Sequence, residues 1–213
     1  MKVTALRRQK SGRRVNVEID GEFAFALSAD SLHVTGLHEG DQVTPRRLGE
    51  LRAVEAKEAA YAAALRLLGY RPRSEQELRK RLRLKRIPGW AVETALGRLR
   101  RNGLIDDAAF ARTYVETRQA SSPRSTRMLT RELAIRGVVG DVAEQGMAPV
   151  DDLASAREAG EKRARRLAEG DYAVFRRRLG SFLAGRGFAY GVIEATVREL
   201  WAERPDPGAA AGA

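Results

Sequence analysis

A pattern of apolar residues returns about every fifty positions, and this period constrains the fold more than any single motif does. Leu78, Leu82, Leu84, Lys85, Arg86 and Ile87 find counterparts in Leu129, Leu133, Ile135, Arg136, Gly137 and Val138, a shift of 51. They return more loosely as Leu179, Leu183, Gly185, Arg186, Gly187 and Phe188, a further shift of 50. The residues after each copy correspond as well: Val92 and Leu99 match Ile193 and Leu200, while Val142 begins a shorter middle version. Leucines four apart share one helix face, so the units are helical. Each has room for about three helices, led by Ala53 to Leu68, Ala108 to Arg118 and Ala156 to Leu167. Helical units of this length stack and bury faces against one another. The expected architecture is therefore mainly α: tandem three-helix, helix-turn-helix-like repeats over 45–105, 106–150 and 151–202, in an elongated, curved array. Such an array offers a surface, not a pocket.

The first repeat is the most explicit. Ser74 followed by Glu77 has the form of a capping box, which starts a helix at Glu75. Leu78, Leu82 and the aliphatic part of Leu84 fall near one face, while Arg79, Lys80, Arg81, Arg83, Lys85 and Arg86 surround the other. Six cations in eight residues cannot be buried unpaired, so this face meets water or an anion. Pro88 and Gly89 are expected to close the helix. Val92, Ala95, Leu96 and Leu99 mark the next one, which Gly103 ends.

Residues 1–44 read differently, as strands. Val15, Val17 and Ile19 alternate with polar residues, Asp20-Gly21 is a two-residue turn signal, and Phe23, Phe25 and Leu27 alternate on the return. Val3 to Arg8 supplies a third antiparallel strand. Ala29 to Val34 fits a short helix, and Leu37 to Val43 a loop with a final extended piece. Thr44-Pro45 then has the form of an N-cap with proline at the first helical position, opening a long helix that Gly69 stops. At the other end, residues 203–213 have nothing to bury and are expected to be disordered.

Charge points to a polyanionic partner. The net charge is +11, and residues 60–136 hold 18 Lys and Arg against 7 Asp and Glu, so that span carries the whole excess. Arginines outnumber lysines 33 to 6, a skew that a GC-rich genome also produces. With no cysteine, no apolar run near the roughly 20 residues of a membrane span and no signal-peptide core, the chain reads as cytoplasmic.

Enzyme signatures are missing: there is no G-x-x-x-x-G-K-[ST], no G-x-S-x-G and no H-E-x-x-H. Asp106-Asp107 and Asp151-Asp152 fit helix N-caps and first turns better than acid/base pairs. His33 and His38 have no carboxylate cluster of ligand spacing beside them, so neither a metal nor a cofactor is expected. Tyr70, Phe110 and Tyr114 read as core or inter-repeat packing instead of base-stacking platforms. Trp90 fits packing and partner contact equally well.

Four stretches in order carry a family resemblance: A-L-R-L-L-G-Y-R-P-R-S-E-Q-E-L-R-K-R-L, G-L-I-D-D-A-A-F-A-R-T-Y-V-E-T-R, R-E-L-A-I-R-G-V and F-L-A-G-R-G-F-A-Y-G-V-I. Together they resemble the RecX family of bacterial recombination regulators over roughly residues 58–200. The resemblance implies three tandem three-helix repeats that bind the RecA recombinase filament on single-stranded DNA, limit filament extension, strand exchange, ATP hydrolysis and co-protease activity, and catalyse nothing themselves. A monomer is expected, and a chain this basic is expected to bind duplex DNA as well at low salt.

Arg71, Arg73, Lys80, Arg83, Lys85, Arg86, Arg124, Arg127 and Arg131 are the candidate contacts to filament or DNA. For Arg71, Arg73 and the three arginines of the second repeat, solvation of the turn or helix is the competing reading. The leucine stripes with Phe110, Tyr114, Phe182 and Phe188 would hold the repeats together. Where family members usually end the first repeat's helix with glycine, this chain has Arg86, and Pro88-Gly89 is expected to do that work two residues later. The rival reading is a DNA-binding protein or transcriptional repressor acting through its helix-turn-helix-like repeats.

Overall fold

The computed structural model describes residues 1–10, 12–167 and 171–204. They form two compact units, the first being Met1–Asp106 and the second beginning at Asp107. The expected tail falls largely outside the described residues.

The first unit opens with a three-stranded antiparallel sheet, β1 (Val3–Arg8), β2 (Arg14–Ile19) and β3 (Glu22–Ser28), in the order β1-β2-β3. Asp20 and Gly21 both take positive φ, 51° and 90°, which is the turn that suits a right-twisted hairpin. Val15, Val17, Ile19 and Leu27 are buried as their alternation requires. Phe23 is not. The register shifts between Val17 and Glu18, so Val17 pairs with Phe25 but Glu18 pairs with Phe23. That bulge turns Phe23 to the outer face, where it is 64% exposed.

After the short helix α1 (Ala29–Thr35), α2 (Pro45–Leu68) serves two cores. Its start is capped by the Thr44 hydroxyl, which accepts from the Arg47 amide. Leu51 closes the sheet's core with Val3, Val17, Leu27 and Val43. Further along, Ala63 and Ala64 join Leu78 and Leu82 of α3 (Glu75–Leu84) and Val92, Leu96 and Leu99 of α4 (Gly89–Arg101). Alanines at the α2–α4 crossing, Ala60, Ala91 and Ala95, let the two backbones approach closely.

The second unit holds two further three-helix groups. In α5 (Asp107–Ser121), α6 (Thr126–Ile135) and α7 (Asp141–Met147), Phe110, Val115, Leu129, Leu133 and Val138 form the core. A methyl on Gly146 would lie 2.7 Å from the Ala111 side chain, so this crossing is tight too. In α8 (Asp152–Arg165), α9 (Tyr172–Gly185) and α10 (Tyr190–Ala202), the core is Phe175, Leu179, Leu183, Phe188, Ile193 and Val197. The repeat predicted from leucine spacing is thus present in three dimensions: Leu78, Leu82, Leu129, Leu133, Leu179 and Leu183 are all 0% exposed.

Two expectations about side chains fail. Leu84 is 71% exposed, because two residues beyond Leu82 put it about 200° round α3, away from the core. Tyr70, in the turn after α2, is 84% exposed and packs in no core. Phe110 and Tyr114 pack in the core of the second repeat as expected, stacking on each other with 6.1 Å between ring centres, while hydrogen bonds join the second and third repeats. There Gln119 donates to the Ser155 hydroxyl, and Asp152 accepts from both the amide and the hydroxyl of Thr126. As expected of that acidic pair, Asp151 is the N-cap of α8 and Asp152 lies in its first turn.

The turn after each middle helix also departs from expectation. Arg86 itself takes the left-handed conformation, φ 59°, at the position that Gly137 (φ 80°) and Gly187 (φ 89°) hold in the later repeats. Pro88 and Gly89 instead open α4. Glycine is needed at 187 because the turn sits on the start of α6: a methyl there would lie 2.7 Å from Ser125 Oγ and 2.9 Å from Met128 Cβ. Arg86 is exposed, so the first repeat carries only the backbone strain of a left-handed L-residue. Arg86→Gly should therefore stabilise the first unit by about 0.5–1 kcal/mol. Gly187→Ala should destabilise the second by about 2 kcal/mol or more. Urea unfolding followed by circular dichroism reads both; equal shifts of one sign would contradict this account.

Candidate partner-binding face

Helix α3 exists because Ser74 caps it, its hydroxyl accepting from the Glu77 amide at 3.1 Å, and because Leu78 and Leu82 anchor one side. The opposite side carries the cations, and the structure divides them. Arg71 forks onto Glu77, with hydrogen bonds of 2.8 and 3.1 Å, and also donates to the Pro72 carbonyl. Those bonds to Glu77 hold its guanidinium protonated beyond the ordinary arginine value. Arg73 is half-buried and donates through Nε to the Leu67 carbonyl, satisfying one of the carbonyls that end α2. Burial, then the charge of Arg71, push its pKa down. Arg79 bridges Glu75 and Glu93 at 2.6 and 2.8 Å, tying α3 to α4, and lowers the pKa of the Glu93 carboxyl. Arg83 lies 3.7 Å from Glu93.

Lys80, Arg81, Lys85 and Arg86 remain. All four are exposed, and none has a carboxylate within 4.0 Å among the described residues. Arg81, on the cationic face in the sequence but not among the nine candidate contacts, belongs to this group.

The second repeat divides in the same way. Arg124 pairs with the carboxylate of Glu132, which also accepts from the Tyr114 hydroxyl and from Arg118 Nε at 3.1 Å. Glu132 is 8% exposed, and Arg136 lies 4.3 Å over the Tyr114 ring. Burial, then the bond to Glu132, raise the tyrosine's pKa. Arg124 is therefore an interior strut, and its backbone amide is held by Gln119 at 2.9 Å. By contrast Arg127 and Arg131, one turn apart on α6, are exposed and have no carboxylate within 4.0 Å among the described residues. Arg177 of α9 stands at the position of Arg127 one repeat later and is exposed as well, a residue that sequence reasoning passed over.

Of the nine sequence candidates, Lys80, Lys85, Arg86, Arg127 and Arg131 are thus open to a partner, Arg83 is nearly so, and Arg71, Arg73 and Arg124 hold the protein's own atoms. Trp90 is half-exposed at the start of α4. No group of three or more His, Asp or Glu able to hold a metal exists among the described residues, and no helix there is long and apolar enough to cross a membrane. A cleft of about 460 Å³ beside α8 and α10 is lined by Arg157, Glu161, Leu200 and Glu203, and Arg157 is spent on Glu161, Glu199 and Glu203.

Four consecutive parts of the chain match family descriptions: the regulatory protein RecX N-terminal domain at 1–44, and the first, second and third RecX three-helix domains at 60–99, 106–147 and 150–197. A regulatory protein RecX of Amycolatopsis mediterranei is 38% identical over 161 residues, covering 72% of this chain and 90% of that relative. The chain belongs to the RecX family. A second RecX, from Lactobacillus delbrueckii subsp. bulgaricus, is 31% identical over 150 residues, 70% of this chain and 55% of the relative, so the match spans about half of that longer protein. A crystal structure of a regulatory protein RecX superimposes with a TM-score of 0.69 at 24% identity, covering 91% of this chain and 97% of the other, and shares the fold. The three-helix groups on α2–α4, α5–α7 and α8–α10 are the RecX three-helix domains; of the candidate cations that stay open, Lys80, Arg127 and Arg131 lie on the middle helices α3 and α6, and Lys85 and Arg86 in the turn after α3.

Proposed function

We propose that this RecX chain is a non-enzymatic negative regulator of the RecA recombinase. It acts in the cytoplasm as a monomer, binding the RecA filament on single-stranded DNA and opposing filament extension, strand exchange, ATP hydrolysis and co-protease activity. One observation carries the reading beyond family membership: exposed cations with no carboxylate within 4.0 Å among the described residues cluster on and just after the middle helices, at Lys80, Arg81, Lys85 and Arg86 in the first repeat and Arg127 and Arg131 in the second. Like charges held together in water raise each other's energy, and a filament offering DNA phosphate and acidic side chains relieves that repulsion.

Lys80→Glu with Lys85→Glu tests it. Both side chains are exposed, so the melting temperature should stay within about 2 °C. Inhibition of RecA strand exchange should be lost, and the slope of log affinity for single-stranded DNA against log salt should fall by about 1 to 2. Undiminished inhibition by the double variant would refute the assignment. Arg73 is unsuited to such a test, because its bond to Leu67 makes any loss of activity ambiguous.

A further inference from the structure

The cations of α3 surround an apolar tip. Leu84, the last residue of the helix, is 71% exposed, with Lys80 and Arg81 one turn behind it and Arg83, Lys85 and Arg86 beside it. The same place in the second repeat holds Ile135, 75% exposed at the end of α6, with Arg131 one turn behind and Val139, 63% exposed, four residues on. In the third repeat it is Gly185. A single exposed leucine calls for no explanation. Two branched aliphatic residues at one repeat position, each pushed into water among cations where a polar side chain would cost the core nothing, do.

From this recurrence we infer that Leu84 and Ile135 are protein-docking knobs. Each enters an apolar socket rimmed by carboxylates on the partner, while the surrounding cations meet the rim. The inference rests on the reading of a filament partner and assigns these two tips to its protein part and not to its DNA. A phosphodiester backbone would neutralise the cations but offer an aliphatic tip no apolar area, and base stacking uses aromatic faces. An acidic protein surface with a socket satisfies both, and an apolar anchor inside a charged rim is how binding energy concentrates at protein interfaces.

The experiment uses the full chain and its variants Leu84→Ser, Ile135→Ser and the pair, measured against bare single-stranded DNA and against RecA filaments assembled on the same DNA. Each single change should weaken filament binding at least about fivefold and the pair at least about thirtyfold, with melting temperature and bare-DNA affinity unchanged within about twofold. Undiminished filament binding by the double variant overturns the proposal, as does a parallel loss on bare DNA, which would place the knobs on nucleic acid. Should the unmodified chain fail to bind the filament, the functional reading itself falls, a result distinct from either.

Discussion

Leu82→Asp is expected to unfold the first repeat, whereas Leu84→Asp, two residues further on, is expected to leave its stability within about 0.5 kcal/mol. Leu82 is 0% exposed in a core with Ala63, Ala64, Leu78 and Leu96, so an aspartate there loses the packing of a buried leucine and places a carboxylate where nothing pairs it. Removal of the apolar side chain alone costs about 2–5 kcal/mol, and the unpaired charge adds several more. The sum rivals the total stability of a small domain. Leu84 faces water, where aspartate solvates freely. Circular dichroism melts of the two variants decide the matter; comparable losses would mean that α3 is not anchored as described.

Glu132→Gln should destabilise the second unit by about 3 kcal/mol, a large effect for a single atom exchanged. Among the described residues the carboxylate is the anion that Tyr114, Arg118 and Arg124 share, and it is nearly buried. Without its charge, two arginines that are two-thirds or more buried face each other with no counter-ion, a cost that solvent screening reduces but does not cancel. Arg186, which donates to Ser122 and to the Pro123 carbonyl, already has its pKa lowered by burial and by Arg124, so extra uncompensated charge would also strain the joint to the third repeat. Urea titration gives the measurement, and a loss under about 1 kcal/mol would show the hub to be dispensable.

Periodicity and punctuation alone yielded the helical repeats, the N-terminal hairpin, the caps at Thr44 and Ser74 and the six core leucines, because leucine spacing and capping chemistry are local properties of a chain. The concentration of arginine and lysine in residues 60–136 was equally plain. Which of those cations are available was decided only by tertiary structure. Arg124 and Arg131 are indistinguishable in composition, yet one points at Glu132 and the other at water. Tyr70 and Phe23 obey apolar patterns and are nonetheless exposed, since a turn and a bulge each rotate a side chain out of the register the pattern assumes, while Leu84, two residues after Leu82, lies on the far side of a regular helix. Spacing fixes the direction of a side chain only while the element stays regular. Glu93 reaches Arg79, and Glu132 reaches Arg118 and Arg124, only because packing brings one helix against the next.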